Sequence, residues 1–211
     1  MITHLLFDLD YTLYSSHYEI ENNVSNRVDD FVMKFLSISK PEVEKIRQGI
    51  AKDHKHGTTL EWLMAEKGFN DKDAYYNAIY SENDADCLSL DPDLENLLAA
   101  IPLPKYVLTN SRIEHAERVL GKLGIKGHFN HIFDISFNNY IGKPKEQAYL
   151  QPLKFMDAKP ETTLFIDDIP KYVNGFLTLG GKALLYDEQD IHKDYPHPRI
   201  RNLHEVNNYL K

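Results

Sequence analysis

Apolar positions along the chain follow two different periods, and the change between them divides it. Leu5-Leu6-Phe7 is a short continuous apolar run of the kind that forms a buried strand, and it ends abruptly in Asp8-Leu9-Asp10, with Thr12 beginning the exit loop. From about Tyr18 to Ser89 no second convincing β-run follows, and apolar residues recur near the helical period instead. One set is Val24, Val28, Phe31, Val32, Phe35 and Leu36, and another is Val43, Ile46 and Ile50 after Pro41. A third contains Leu60, Trp62, Leu63 and Met64 behind the capping residues Thr58-Thr59, and a fourth runs from Ala74 to Tyr80.

Beyond Ser89 strands and helices alternate. Asp91-Pro92 caps and opens a helix through Leu94, Leu97 and Leu98, and Tyr106-Val107-Leu108 is a strand ending at Thr109-Asn110-Ser111. The segment from Glu114 to Leu123 is helical and Gly124 stops it. Ile132-Phe133-Asp134-Ile135 is the next strand, followed by Gly142-Lys143-Pro144 and a helix through Ala148, Leu150, Leu153 and Phe155. Thr163-Leu164-Phe165-Ile166 leads into Asp167-Asp168, then come a helix and a strand from Lys182 to Tyr186. His192 to Arg201, with Pro196 and Pro198, reads as a surface connection, and Leu203 to Leu210 as a closing helix. This is an α/β pattern: a parallel sheet covered by helices on both faces, with an all-helical piece inserted after the first strand. Residues 1–16 and 90–211 are expected to form the core, and residues 17–89 a helical cap.

Composition narrows the partners. The 211 residues suffice for one α/β domain with a sizeable insert. Against 24 Lys and Arg stand 32 Asp and Glu, a formal net charge of -8, which argues against nucleic acid as a partner. The one cysteine, Cys87, excludes an internal disulfide and is expected to be a small buried hydrophobe. No signal peptide is read and no apolar run approaches bilayer length, so a cytoplasmic protein without membrane contact is expected, as a monomer or small homo-oligomer.

The candidate chemistry sits where the strands end. Asp8 and Asp10, Thr109, Lys143 in a loop before a helix, and Asp167 and Asp168 all fall at strand carboxyl ends or just beyond, where an open parallel sheet collects its ligands. Packed carboxylates raise one another's pKa unless a cation neutralises them, and an all-oxygen set suits Mg²⁺ with a phosphate. Thr109 and Lys143 can take the remaining oxygens of a tetrahedral anion, which describes phosphoryl chemistry.

With these residues the chain resembles the haloacid dehalogenase superfamily of phosphohydrolases. Its four motifs have their counterparts in order: Asp8-Leu9-Asp10-Tyr11-Thr12, Val107-Leu108-Thr109-Asn110, Gly142-Lys143-Pro144 and Phe165-Ile166-Asp167-Asp168. The resemblance implies a Rossmann-like core with an early, C1-type helical cap. It implies Asp8 as nucleophile and Asp10 as general acid and then base. Thr109 and the adjacent Asn110 amide would bind phosphate, and Lys143 would pair with the nucleophile and the transferring group. Asp8, the Asp10 carbonyl, Asp167 and Asp168 would hold Mg²⁺. Lys145 is the rival for the lysine role. Tyr172 stands where many members carry Asp or Asn, so support of the metal is expected to differ. Dehalogenases of the superfamily lack an Asp at the place of Asp10, which favours phosphate esters.

Phe7-Asp8-Leu9-Asp10-x-Thr12-Leu13-Tyr14, His56-Gly57-Thr58-Thr59-Leu60, Asp91-Pro92-Asp93-Leu94 and Leu108-Thr109-Asn110-Ser111 are most similar to the pyrimidine 5'-nucleotidase branch. That implies a small phosphomonoester, first UMP or CMP, with Arg47, His56 and Thr58 as specificity candidates. His54 and Lys55 read as a solvated face, and Tyr75, Tyr76 and Tyr80 as packing. A sugar-phosphate phosphatase or phosphosugar mutase remains the alternative. A non-catalytic phosphate binder is more remote, as is a receiver domain, whose motif order is the reverse of this one.

Overall fold

The computed structural model describes residues 1–52 and 55–210. Six parallel strands form one sheet in the order β3-β2-β1-β4-β5-β6. They are β1 (His4–Phe7), β2 (Lys105–Leu108), β3 (His131–Phe133), β4 (Thr163–Asp167), β5 (Lys182–Tyr186) and β6 (Arg199–Ile200). Strand β1 lies centrally, Leu6 opposite Tyr106 on one side and Phe165 on the other, so the strand order reverses beside it. That reversal opens the crevice at the carboxyl ends of β1, β2 and β4.

Helices cover both faces. Leu5 and Phe7 pack with Leu97, Leu98, Ala116 and Leu120 of α5 (Pro92–Ala100) and α6 (Ile113–Leu123). Leu6 and Phe165 pack on the opposite face with Tyr149, Leu153, Val173 and Phe176 of α7 (Glu146–Phe155) and α8 (Pro170–Leu177). The period-2 alternation of β1 therefore serves two cores. Pro152 inside α7 cannot donate to the Ala148 carbonyl, and the buried Asn138 side chain donates to that oxygen instead, at 3.2 Å.

Between β1 and β2 lie α1 (Ile20–Leu36), α2 (Lys40–Lys52), α3 (Thr59–Lys67) and α4 (Lys72–Ile79), with no strand among the described residues. Val24, Val28, Val32, Val43, Leu60, Leu63, Tyr75 and Tyr76 form their common core, closed by Ile135 and Tyr140 from the loop after β3. The insert also touches the sheet domain through Gly57, where a Cβ would lie 2.5 Å from the Gly142 carbonyl oxygen. Only glycine permits that approach.

Several expectations need correction. The strand predicted over 132–135 stops at Phe133, because the Asp134 carboxylate accepts the Ile113 and Phe137 N–H groups and the Ser136 hydroxyl. The predicted surface connection 192–201 contains β6: the Leu185 N–H donates to Pro198 O at 3.0 Å and the Asp187 N–H to Ile200 O at 2.8 Å. Its charge has a structural task, since Arg199 binds Asp187 and Asp190. Cys87 is exposed rather than buried, leaving Ala85 and Leu88 to fill that stretch of the core. The expected closing helix is present as a 3₁₀ helix over Leu203–Tyr209, with Asn202 and Glu205 capping its start.

Candidate active site

Three carboxylates and one ammonium meet at the end of β1. Asp8, just past that strand, still pairs as one, its N–H donating to Ile166 O at 2.8 Å. Tyr11 takes a left-handed turn, φ 57°, and the Leu13 N–H returns to Leu9 O at 2.9 Å, so the chain leaves the sheet sharply and keeps Asp8 and Asp10 at its edge. Asp167 ends β4 beside Asp8. Lys143 Nζ lies 2.6 Å from both Asp8 Oδ1 and Asp167 Oδ2. Lys143 is 1% exposed, Asp167 0% and Asp8 5%, so these charges face one another rather than water.

Burial dominates their titration. It pushes the Asp8 carboxyl up to about 8, aided by Asp167 and Asp10 and opposed by Lys143. Asp167 is also raised by burial, although Lys143 and the Ile169 N–H pull it down. Asp168 is raised well above the carboxylate range by burial, Asp167 and Asp8. Burial works against the Lys143 ammonium, but Asp167 and Asp8 more than offset it.

Oxygens of Asp8, Asp167 and Asp168 lie within 4.8 Å of one another. With Lys143 charged, full ionisation leaves two negative charges in excess, and all the donors are hard oxygens. That donor set fits a divalent cation such as Mg²⁺, which takes one or two carboxylates and keeps waters.

Asp10 turns away from this group. Its Oδ1 accepts from Tyr14 Oη at 2.7 Å and faces His115 Nε2 at 2.8 Å, while Oδ2 accepts from Ser111 Oγ at 2.7 Å. Burial alone would raise its carboxyl; His115, Tyr14 and Ser111 outweigh burial and hold it low. The carboxylate of Asp10 clusters with Glu21 and His115 rather than with Asp8. Any part Asp10 takes in holding a metal at Asp8 therefore falls to its main chain.

Thr109 extends β2, its N–H donating to Phe133 O at 3.0 Å and its Oγ1 accepting from Ser111 N at 3.0 Å. Asn110 spends its side chain on Lys143: Oδ1 accepts the Lys143 N–H at 2.8 Å and Nδ2 donates to Lys143 O at 3.2 Å. The Asn110 side-chain amide therefore clamps the lysine's backbone. Tyr172 is half-buried with its ring centroid 5.0 Å from Lys143 Nζ, a cation–π contact at the place where the resemblance has Asp or Asn. Lys145 is drawn to Glu61 of α3 instead and reaches neither Asp8 nor Asp167.

A cleft of about 320 Å³ opens over these groups and reaches Glu21, Asn22 and Ser25 on α1 and Arg47 on α2. Arg47 Nη1 is anchored by Asp29 Oδ1 at 2.6 Å and Ser25 O at 3.0 Å. His56 and Thr58 do not line it. His56 is buried 3.3 Å from Glu66, and Thr58 caps α3 through the Glu61 N–H. His54 lies outside the described residues. Lys55 is exposed and meets Glu66, in keeping with a solvated face.

Sequence reasoning missed His115, Glu21 and the roles of Ser111 and Tyr14, and it read Tyr80 as packing alone. A signal for His115 existed: it lies on the buried face of α6 with Ala116, Val119, Leu120 and Leu123, directly after the Thr109-Asn110-Ser111 turn.

A family model for haloacid dehalogenase-like hydrolases matches residues 2–173, and the chain belongs to that family. Solved structures of the same fold span both chains almost completely. YfnB of Bacillus subtilis, a HAD-family protein solved bound to magnesium, superposes with a TM-score of 0.64 at 19% identity, over 100% of this chain and 99% of its own. A HAD phosphatase from Thermococcus onnurineus gives 0.61 at 19%, over 99% and 98%. The L-2-haloacid dehalogenase of Xanthobacter autotrophicus gives 0.61 at 13%, over 100% and 98%. At such identities the likeness establishes the fold, and the chemistry must be read from the site.

Proposed function

We propose that the chain is a Mg²⁺-dependent phosphomonoesterase working through an aspartyl-phosphate on Asp8. The observation that carries this reading is the pairing of the Asp8–Lys143–Asp167 group with a separately held Asp10. An Asp8 oxygen attacks phosphorus as the bond from phosphorus to the ester oxygen breaks, and the leaving oxygen takes a proton from Asp10. Asp10 must first gain that proton from solvent as substrate binds, because Tyr14, Ser111 and His115 hold it as a carboxylate in the free protein. Water then attacks phosphorus, Asp10 recovers a proton from it, and the Asp8–phosphorus bond breaks to release inorganic phosphate. Lys143 orients Asp8 and offsets charge on the transferring oxygens. Asp8, Asp167, Asp168 and the Asp10 carbonyl would hold Mg²⁺, which when bound supplies electrostatic stabilisation of the phosphoryl oxygens. A dehalogenase reading gives a leaving halide no use for a proton from Asp10, so the presence of Asp10 favours an ester.

The cleft beyond Asp10 is lined by Glu21, Asn22, Ser25 and Arg47 together with Val24 and Val28, a mixed polar and apolar wall that suits a leaving alcohol carrying both kinds of surface. Pyrimidine nucleoside 5'-monophosphates are the first candidates, and α1–α4 act as the cap over the core of residues 1–16 and 90–211. The test is phosphate release from UMP, CMP, dUMP, AMP, GMP, sugar phosphates and an aryl phosphate, with Mg²⁺ or chelator. A Mg²⁺-dependent preference for UMP and CMP supports both levels of the proposal. Preference for sugar phosphates discards the nucleotide, and no release from any ester discards the phosphatase.

A further inference from the structure

His115 occupies a place that a core histidine does not need. It is 1% exposed on α6, with Nε2 2.8 Å from Asp10 Oδ1, and its Nδ1 has no hydrogen-bond partner. A buried ring nitrogen left unpaired costs stability, so the bond to Asp10 must set the ring's orientation against that cost. The ring is held flat by Tyr80, which ends α4 of the helical insert: the centroids are 4.8 Å apart and the planes 27° from parallel. Tyr14 takes the same Asp10 oxygen as His115, and Ser111 takes the other, the one nearer the Thr109-Asn110-Ser111 turn. Three donors on two oxygens leave the carboxylate one rotamer. The groups facing His115 are Asp10 beneath it, Glu21 from α1 and Tyr80 from α4, with Arg112, Glu114 and Arg118 along the cleft it borders on its own helix.

Resting on the phosphatase reading above, we infer that His115 is a positioning residue for Asp10, and that Tyr80 makes this positioning depend on the seating of the insert. Nε2–H donates to Oδ1 and, with Tyr14 and Ser111, fixes the carboxylate at the wall of the cleft. Without His115 the carboxylate keeps only Tyr14 and Ser111, its orientation loosens, and proton delivery to the leaving group suffers. Attack by Asp8 on phosphorus does not depend on that delivery when the leaving group is a stable phenolate. The loss therefore depends on the leaving group, which a general loosening of the fold does not reproduce.

The experiment compares kcat/KM for an alkyl phosphate and for 4-nitrophenyl phosphate in the wild type, His115→Leu, His115→Gln and Tyr80→Leu, all with Mg²⁺. A positioned acid contributes about 10²–10⁴-fold, so His115→Leu is expected to lose about 100-fold on the alkyl ester and under about 10-fold on the aryl ester. His115→Gln, whose amide N–H can reach the same oxygen, recovers most of the alkyl loss. Tyr80→Leu shows the same pattern in smaller measure, and it decides the matter should His115→Leu not fold. Equal losses on both esters, or no loss on either, overturn the inference while leaving the phosphatase reading standing. A wild type that releases no phosphate from either ester overturns both.

Discussion

Asp168→Asn separates the metal's part of the site from its covalent chemistry. Asp168 shares the cluster with Asp8 and Asp167, oxygens within 4.8 Å, but Lys143 pairs directly with those two and no ion pair reaches Asp168 among the described residues. At that separation each like-charged neighbour opposes ionisation by about 3.5 kcal/mol with an effective dielectric near 20, and Lys143 returns about half of the two-neighbour sum. Uptake of a proton limits the cost further, so Asp168→Asn is expected to stabilise the metal-free protein by about 1–3 kcal/mol at pH 8, or about 3–10 °C in Tm. The sign with pH follows from the raised values. Between the ordinary carboxylate pKa and the raised folded values the native state holds more protons than the unfolded chain, so metal-free stability falls as pH rises. For Asp8 that window extends to about pH 8. Thermal unfolding in chelator from pH 5 to 8.5 should therefore show the variant pulling ahead of the wild type with rising pH. Saturating Mg²⁺ should raise the wild type, by about 2.7 kcal/mol at one hundred times Kd, and the variant far less. A variant less stable than the wild type in chelator at pH 8, or one gaining as much from Mg²⁺, refutes the reasoning.

Other consequences are as direct. Lys143→Ala leaves Asp8 and Asp167 buried without their cation and should cost about 3–5 kcal/mol in denaturant unfolding as well as abolish turnover; Lys145→Ala should leave turnover within a few-fold of wild type. Gly57→Ala places a methyl 2.5 Å from the Gly142 carbonyl oxygen, next to Lys143, and should lower stability by about 1–3 kcal/mol and reduce kcat in steady-state assays. Asp187 accepts the Ile191 and His192 N–H groups at 3.0 Å and binds Arg199. Burial would raise its carboxyl, but these donors hold it below the ordinary value. Its contribution is present above the unfolded pKa and lost as pH falls through the lowered folded one. Asp187→Ala should thus cost about 2–4 kcal/mol at pH 7 and progressively less as pH falls below the ordinary carboxylate value, by urea unfolding across that range.

The parts of the fold legible in the sequence were those where local pattern and tertiary burial agree. The β1 run, the helical spacing of α1 to α4 and the capped start at Asp91 each state one answer at every level. Strand β6 was not legible because two residues directly after Pro198 carry no period; it exists through the ladder to Leu185 and Asp187 and through Arg199. The same holds within the site. Carboxylates and lysine at strand ends announce themselves, since their cost in burial demands a purpose. Asn110, Ser111 and His115 do not, because each acts on a partner 33 to 105 residues away that only the fold brings near. His56-Gly57-Thr58 shows the reverse: a conspicuous sequence whose work is to cap α3 and let the insert meet Gly142, rather than to line the cleft. Arg47 alone of the three specificity candidates faces the space where a substrate would lie.

The central claim is that phosphate passes through Asp8. The direct measurement is acid-quenched labelling of Asp10→Asn with a ³²P-labelled aryl phosphate and Mg²⁺. That ester forms the intermediate without Asp10's proton, while hydrolysis of the intermediate lacks its base, so label should accumulate. A hydroxylamine-labile phosphoryl group on the peptide containing Asp8, absent when Asp8→Asn is added, is the predicted result. Wild-type phosphate release with no label at Asp8, or undiminished release from Asp8→Asn, contradicts it.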